Sequence, residues 1–145
     1  TFHPNNKWIY VINELNNTVS VVKEKEGNYQ IEATISTLPE NFSGNSYTAD
    51  IHISNDGKFL YASNRGHNSI VIYKVNKENG SLKTVGFQPV LGKWPRNFSL
   101  SPNNNFLLVA NQKTDNIVSF KRDSVTGKLI FVSEIAAPTP VCILF

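Results

Sequence analysis

Three short stretches of this chain carry a glutamate, an arginine and a glutamine at one shared repeat position: Glu14 in "NELNN", Arg65 in "NRGHN" and Gln112 in "NQKTD". A carboxylate can orient or deprotonate a water molecule. A guanidinium presents a planar fork to a carboxylate, a phosphate or an oxygen that is gaining charge. Two positions further on, the same stretches hold Asn16, His67 and Thr114, and each opens with an asparagine, Asn13, Asn64 or Asn111. A plain turn can use one residue three times. Three polar groups of different charge, brought to one place, look like a site. Exposed loop tips are polar in any case, so what decides between site and turn is where the fold puts these loops.

The elements that must position them repeat. "NNKWIYVINELNNTVSVV" (5–22), "DGKFLYASNRGHNSIVIY" (56–73) and "NNNFLLVANQKTDNIVSF" (103–120) align without a gap. Each copy has a turn, an aromatic residue, an apolar run ending in Asn, a polar loop and a second apolar run. A turn closing on Gly27, Gly80 or Gly127 follows, then another apolar run. Alternating segments, "ADIHIS" and "RNFSLS", precede the second and third copies. The unit reads strand, turn, strand, polar loop, strand, glycine turn, strand. Four short antiparallel strands in roughly 47 residues is the signature of a propeller blade. The runs are rich in Val, Ile, Phe and Tyr, which argues against helices. "FLYAS" and "IVIYKV" are apolar on both faces, as expected of a sheet covered on both sides.

The expected fold is therefore all-β, with blades over about 1–49, 50–95 and 96–139 and innermost strands near 50–54, 96–101 and 140–144, the last being a closing inner strand within 140–145. Strand alternation puts the Glu14, Arg65 and Gln112 loops on the disc face where innermost strands begin. "WPRN", with Arg96, lies on that face too, and Arg96 could equally cover Trp94 or pair with a neighbouring carboxylate. Asp50 and Asn97 share a position at the start of an innermost strand, where Asp50 could point into the channel. Asn64 and its equivalents read first as loop braces, and His52 as an interior histidine that finds a partner. The chain starts at Thr1, contains no methionine and stops on "PVCILF"; both ends read as seams of something larger.

Composition removes several function classes. With 40% hydrophobic and 17% charged residues the chain is globular in character. The net charge of +3 is scattered, without a basic cluster interleaved with aromatics, so no nucleic-acid partner is expected. No apolar run reaches the roughly 20 residues of a membrane-spanning helix, and no membrane partner is expected. Cys142 is the sole cysteine, which rules out an internal disulfide framework. No His, Cys, Asp and Glu spacing suits a metal, and neither a phosphate-binding glycine loop nor a nucleophile elbow is present.

"YVINELNNTVSV", "DIHISNDGKFLYASNRGHNSI", "WPRNFSLSPNNNFLLVANQKTDNIVSF", "TGKL" and "PTPVCILF" together resemble the lactonase family of seven-bladed propellers, which includes propeller-type 6-phosphogluconolactonases and carboxymuconate-cyclising enzymes. The resemblance implies a C-terminal piece of about three blades, a cofactor-free site at the central mouth and a cytoplasmic setting. It implies hydrolysis of a small-molecule lactone, 6-phosphogluconolactone first among them, by the intact parent. Glu14 and Arg65 match catalytic positions of the family. Arg96, His67, Asn64 and Gln112 become candidate substrate contacts. The family's Arg-His pair ahead of "FHPN" is not in this chain, and "WPRN" has Asn97 where a histidine would stand, so about half a site is expected here. A non-catalytic propeller scaffold, binding a ligand or a protein at the same mouth, is the alternative. The expected partners are the rest of the propeller or another copy of the chain, which would cover blade faces carrying Ile9, Val11, Val19 and Val21.

Overall fold

The computed structural model describes residues 1–145 and contains eleven β-strands and no helix. The strands are β1 (Trp8–Asn13), β2 (Thr18–Lys25), β3 (Asn28–Ser36), β4 (Tyr47–Ile53), β5 (Phe59–Arg65), β6 (Ser69–Val75), β7 (Leu82–Pro89), β8 (Pro95–Leu100), β9 (Phe106–Asn111), β10 (Asn116–Arg122) and β11 (Leu129–Ala136). They form three antiparallel sheets in the order β1-β2-β3, β4-β5-β6-β7 and β8-β9-β10-β11. The second and third sheets are four-stranded blades with β4 and β8 innermost. The first has three strands and no innermost one.

The sheets stack because the middle strands of the second, β5 and β6, are buried on both faces. Along β5, Phe59 and Tyr61 point into one core with Phe98, Leu107, Val109 and Phe120 of the third sheet. Leu60 and Ala62 point the other way, into a second core with Trp8, Tyr10, Val19 and Val21 of the first. Both sets alternate with the period of two that a pleated strand imposes, so every residue of β5 is buried. Each large apolar side chain so covered contributes about 1.5–3 kcal/mol.

Neighbouring blades interlock at both ends. At one end the turn of the following blade sits on the aromatic residue that opens the second strand. A Cβ on Gly80 would lie 2.5 Å from the Trp8 ring, and one on Gly127 2.3 Å from the Phe59 ring. Tyr10 and Tyr61 donate hydroxyl hydrogen bonds of 2.9 Å to the carbonyls of these same glycines. At the other end the repeated asparagine reaches back to the preceding blade: Asn64 Nδ2 donates to Thr37 O at 2.7 Å, and Asn111 Nδ2 to Val90 O at 3.1 Å. Asn13 instead donates to Thr18 Oγ1 and Ser20 Oγ.

Gly127 has φ +75, so alanine there meets both backbone strain and a ring. We expect Gly127→Ala to cost about 2–4 kcal/mol in denaturant unfolding, combining left-handed strain and overpacking. Gly27 has φ +81 with nothing within 4 Å, so Gly27→Ala should carry the strain alone, about 1–2 kcal/mol. Equal losses in the two variants would contradict the interlocking described here.

The expected innermost strands near 50–54 and 96–101 are present as β4 and β8. The one expected at 140–144 is not a strand: residues 140–145 join no sheet. No neighbouring strand runs alongside to supply a ladder. The segment is held by Thr139 N to Asp115 Oδ1 at 2.8 Å and Ile143 N to Asn97 Oδ1 at 2.6 Å.

Candidate active site

Both innermost strands break register where they enter their blades. In β4 the pairing jumps between Thr48 and Ile51, and in β8 between Pro95 and Asn97. Such bulges leave residues outside the ladder and re-aim their side chains. The freed residues are Ala49 and Asp50 in one blade and Arg96 in the next. They line a cleft of about 310 Å³ with Glu14, Arg65, Asn97 and Val141. Four of these seven side chains carry formal charge, two of each sign.

Arg65 is the cleft's most deeply buried charged group, with its side chain 7% exposed. It ends β5, paired with Tyr47 of β4, and its carbonyl accepts from Ser46 Oγ at 3.0 Å. Its Nη2 donates to the Glu14 carboxylate and to Thr48 O, the latter at 2.9 Å. The guanidinium carbon stands 5.5 Å from the centre of the Trp94 ring, and the same ring has Lys113 Nζ 3.4 Å from its centre. Neither bond uses Nη1, and Nε is buried without a partner. Glu14, from the first blade, has a side chain 60% exposed, so its carboxylate touches both Arg65 and solvent. Arg96 is exposed in the same cleft. The expected alternative of Arg96 covering Trp94 is not what the structure has; Arg65 and Lys113 occupy that ring.

Asp50 is a second carboxylate in the cleft. It accepts from Ile51 N at 2.8 Å, Phe98 N at 3.1 Å and Asn97 Nδ2 at 2.6 Å, and lies 3.1 Å from His52 Nε2. Burial pushes its carboxyl up, but the bonds from His52 and the two backbone amides outweigh this and hold it below the ordinary aspartate value. Asp50 is therefore ionised at neutral pH. His52 has this partner and an edge-on contact with Phe98, centres 4.9 Å apart. No three His, Cys, Asp or Glu side chains gather as a metal set.

The other expected substrate contacts stand elsewhere. Asn64 is fully buried, its amide spent on Thr37 O and Ser69 Oγ. His67 turns back over its own blade: Nδ1 is 2.6 Å from Ser69 Oγ, and the ring meets Phe42 and Phe87 edge-on. Burial pushes the His67 ring below its ordinary value, which keeps it neutral. Gln112 lies outside the cleft lining, its backbone N donating to Trp94 O at 3.1 Å. Register explains these departures. A position shared among repeats fixes the backbone site of a side chain, while its direction follows from the local turn.

The family model described as "Lactonase, 7-bladed beta-propeller" matches residues 1–145. The chain belongs to the lactonase family of seven-bladed β-propellers. Within that family it is 53% identical over 131 residues to a 6-phosphogluconolactonase of Formosa agariphila, covering 88% of this chain and 36% of that protein. It is 39% identical over 147 residues to the 6-phosphogluconolactonase of Bacillus subtilis, covering 99% of this chain and 42% of that one. Among solved structures, the periplasmic gluconolactonase of Pseudomonas aeruginosa superimposes with TM-score 0.91 at 32% identity, over 97% of this chain and 39% of that one. This lactonase-family chain thus spans about two fifths of the length of these relatives.

Proposed function

We propose that this chain forms three blades of a longer, ring-closed propeller whose mouth hydrolyses a sugar lactone, 6-phosphogluconolactone to 6-phosphogluconate. The observation that carries the reading is the meeting of Glu14, Arg65 and Arg96, from three consecutive blades, in one cleft. The phosphorylated substrate is supported by the names of the Formosa and Bacillus relatives. Longer assembly is supported by unfilled seats at the two ends of the stack. Phe106 holds the repeat position of Trp8 and Phe59, yet it is 38% exposed where they are 2%. At the opposite end the Gly27 turn has nothing to sit on. The remaining blades would supply a turn for Phe106 and an aromatic ring for Gly27.

In the reaction, a water oxygen attacks the lactone carbonyl carbon while the Glu14 carboxylate takes its proton. Arg96 faces the carbonyl oxygen as it becomes negative, the place where a fixed cation contributes most. Arg65 holds the Glu14 carboxylate in place. The bond from the carbonyl carbon to the ring oxygen then breaks, and the ring oxygen takes the proton from Glu14 and leaves as a hydroxyl. The product acid ionises and releases a proton to solution.

Arg96 is exposed, so its removal separates chemistry from folding. Arg96→Ala in the complete propeller should lower kcat/KM by about 10²-fold, the scale of one lost oxyanion partner. Its stability should stay within about 0.5 kcal/mol of wild type, as for other surface changes. An Arg96→Ala protein as fast as wild type would remove Arg96 from the site.

A further inference from the structure

One carboxylate in the cleft has no part in the reaction above. Asp50 and Asn97 hold the same position in consecutive innermost strands, and they do one job in common. Asp50 accepts the N–H of Phe98, and Asn97 Oδ1 accepts the N–H of Ile143, in each case from the next innermost segment along the chain. The inner edge of such a strand faces the channel and has no ladder partner there, so the side chain takes the place of one. Asn97 does this without charge. Capping the next segment therefore does not require an anion at Asp50.

The extra bonds of Asp50 indicate what the anion adds. Beyond the backbone N–H groups, the Asp50 carboxylate accepts from the Asn97 side-chain amide at 2.6 Å and lies 3.1 Å from His52 Nε2. A carboxylate has no hydrogen to donate and takes several donors at once; a neutral amide presents hydrogens on one side. Asn97 directly follows Arg96 at the bulge of β8. Its amide is fixed on both sides, donating to Asp50 and accepting from Ile143 N. The backbone that carries Arg96 is thereby tied to the second blade, whose strand β5 ends on Arg65. Asp50 stays ionised because its donors outweigh its burial.

We propose that Asp50 is a positioning residue for the cleft: its carboxylate clamps Asn97 and so sets the Arg96 guanidinium opposite the reacting carbonyl. The proposal rests on the lactone-hydrolysis reading. It makes Asp50 an aligning anion, with no proton to take and no contact with substrate.

The experiment is a kinetic double-mutant cycle on the complete propeller with freshly generated 6-phosphogluconolactone. Asp50→Asn places an amide against the Asn97 and His52 donors. It should lower kcat about tenfold with KM within about twofold, because alignment is lost at the transition state while ground-state binding stays. In an Arg96→Ala background the same change should cost less than about twofold, since the residue it aligns is gone. Asn97→Ala removes the link while leaving Asp50 its backbone donors. It should reproduce the kcat loss, and it serves in place of Asp50→Asn should that variant fail to fold. Asp50→Asn or Asn97→Ala turning over at the wild-type rate would overturn the proposal, and so would a tenfold loss that persists undiminished without Arg96. These outcomes leave the wild-type activity standing. Absence of lactone turnover by the wild type would instead bring down the underlying reading, and the proposal with it.

Discussion

Replacing Arg65 by alanine in the complete propeller should lower kcat/KM for lactone hydrolysis by about 10²-fold or more, the scale of a misplaced reacting group, and should also lower the melting temperature. Both effects follow from the way the side chain is held. Its guanidinium is the partner that orients the Glu14 carboxylate, and it is 7% exposed, beneath the mouth and against Trp94. Without it Glu14 swings free in solvent. The Thr48 carbonyl loses a 2.9 Å bond in a buried place, and an acceptor left so costs about 1–3 kcal/mol. Arg65→Lys should recover part of the stability and little of the rate, since a compact, strongly hydrated ammonium on a flexible stem is not pre-set, as the rigid guanidinium is, to bring one nitrogen to both the Glu14 carboxylate and Thr48 O. The assay is acid release from fresh lactone, corrected for spontaneous opening and normalised to folded protein, with a thermal melt of each variant. If Arg65→Ala melts early but turns over lactone at the wild-type rate per folded molecule, Arg65 is a strut of the loop and nothing more.

Glu14→Gln should cost about 10²–10⁴ in kcat, the range attributable to a positioned general base. The substitution keeps the size of the side chain and leaves one oxygen to accept from Arg65. Glu14 is 60% exposed and belongs to a loop between β1 and β2, so stability should change by no more than about 0.5 kcal/mol. The contrast with Arg65→Ala is diagnostic. The two residues share one ion pair, yet one variant should lose rate alone and the other rate and stability together. A Glu14→Gln enzyme retaining more than about half of wild-type kcat would assign the base to another group.

Much of the fold is legible in the sequence because packing leaves a periodic trace. The three gapless copies place β5 and β9, and the double-faced apolar runs of β5 and β6 foretell the two cores on either side of the second blade. The convergence of Glu14, Arg65 and Arg96 is legible as well, since strand direction alone sends their loops to one face. What the sequence leaves open is set by register and by local turns. The bulges that turn Arg96 and Asp50 into the cleft exist only relative to partner strands. His67 shares its repeat position with the loop tips Asn16 and Thr114, yet it folds onto Phe42, because the 37–46 loop brings that ring to it. Asn64 reads first as a loop brace and second as a substrate contact. Its amide is occupied by the staple to Thr37. The Asp50–Asn97 bond joins residues 47 apart in sequence, and no local pattern records it. A hint is present, though: the same strand position holds an acid in one blade and an amide in the next.

The central claim is that the cleft joining three blades is where lactone is opened. It is tested most directly by the rate of acid release from freshly generated 6-phosphogluconolactone, measured for the complete propeller beside its Glu14→Gln/Arg96→Ala double variant. Rapid turnover is expected of the wild type and, for a double variant that melts like wild type, a rate indistinguishable from spontaneous opening. A folded double variant that still opens the lactone as fast as wild type would contradict that claim.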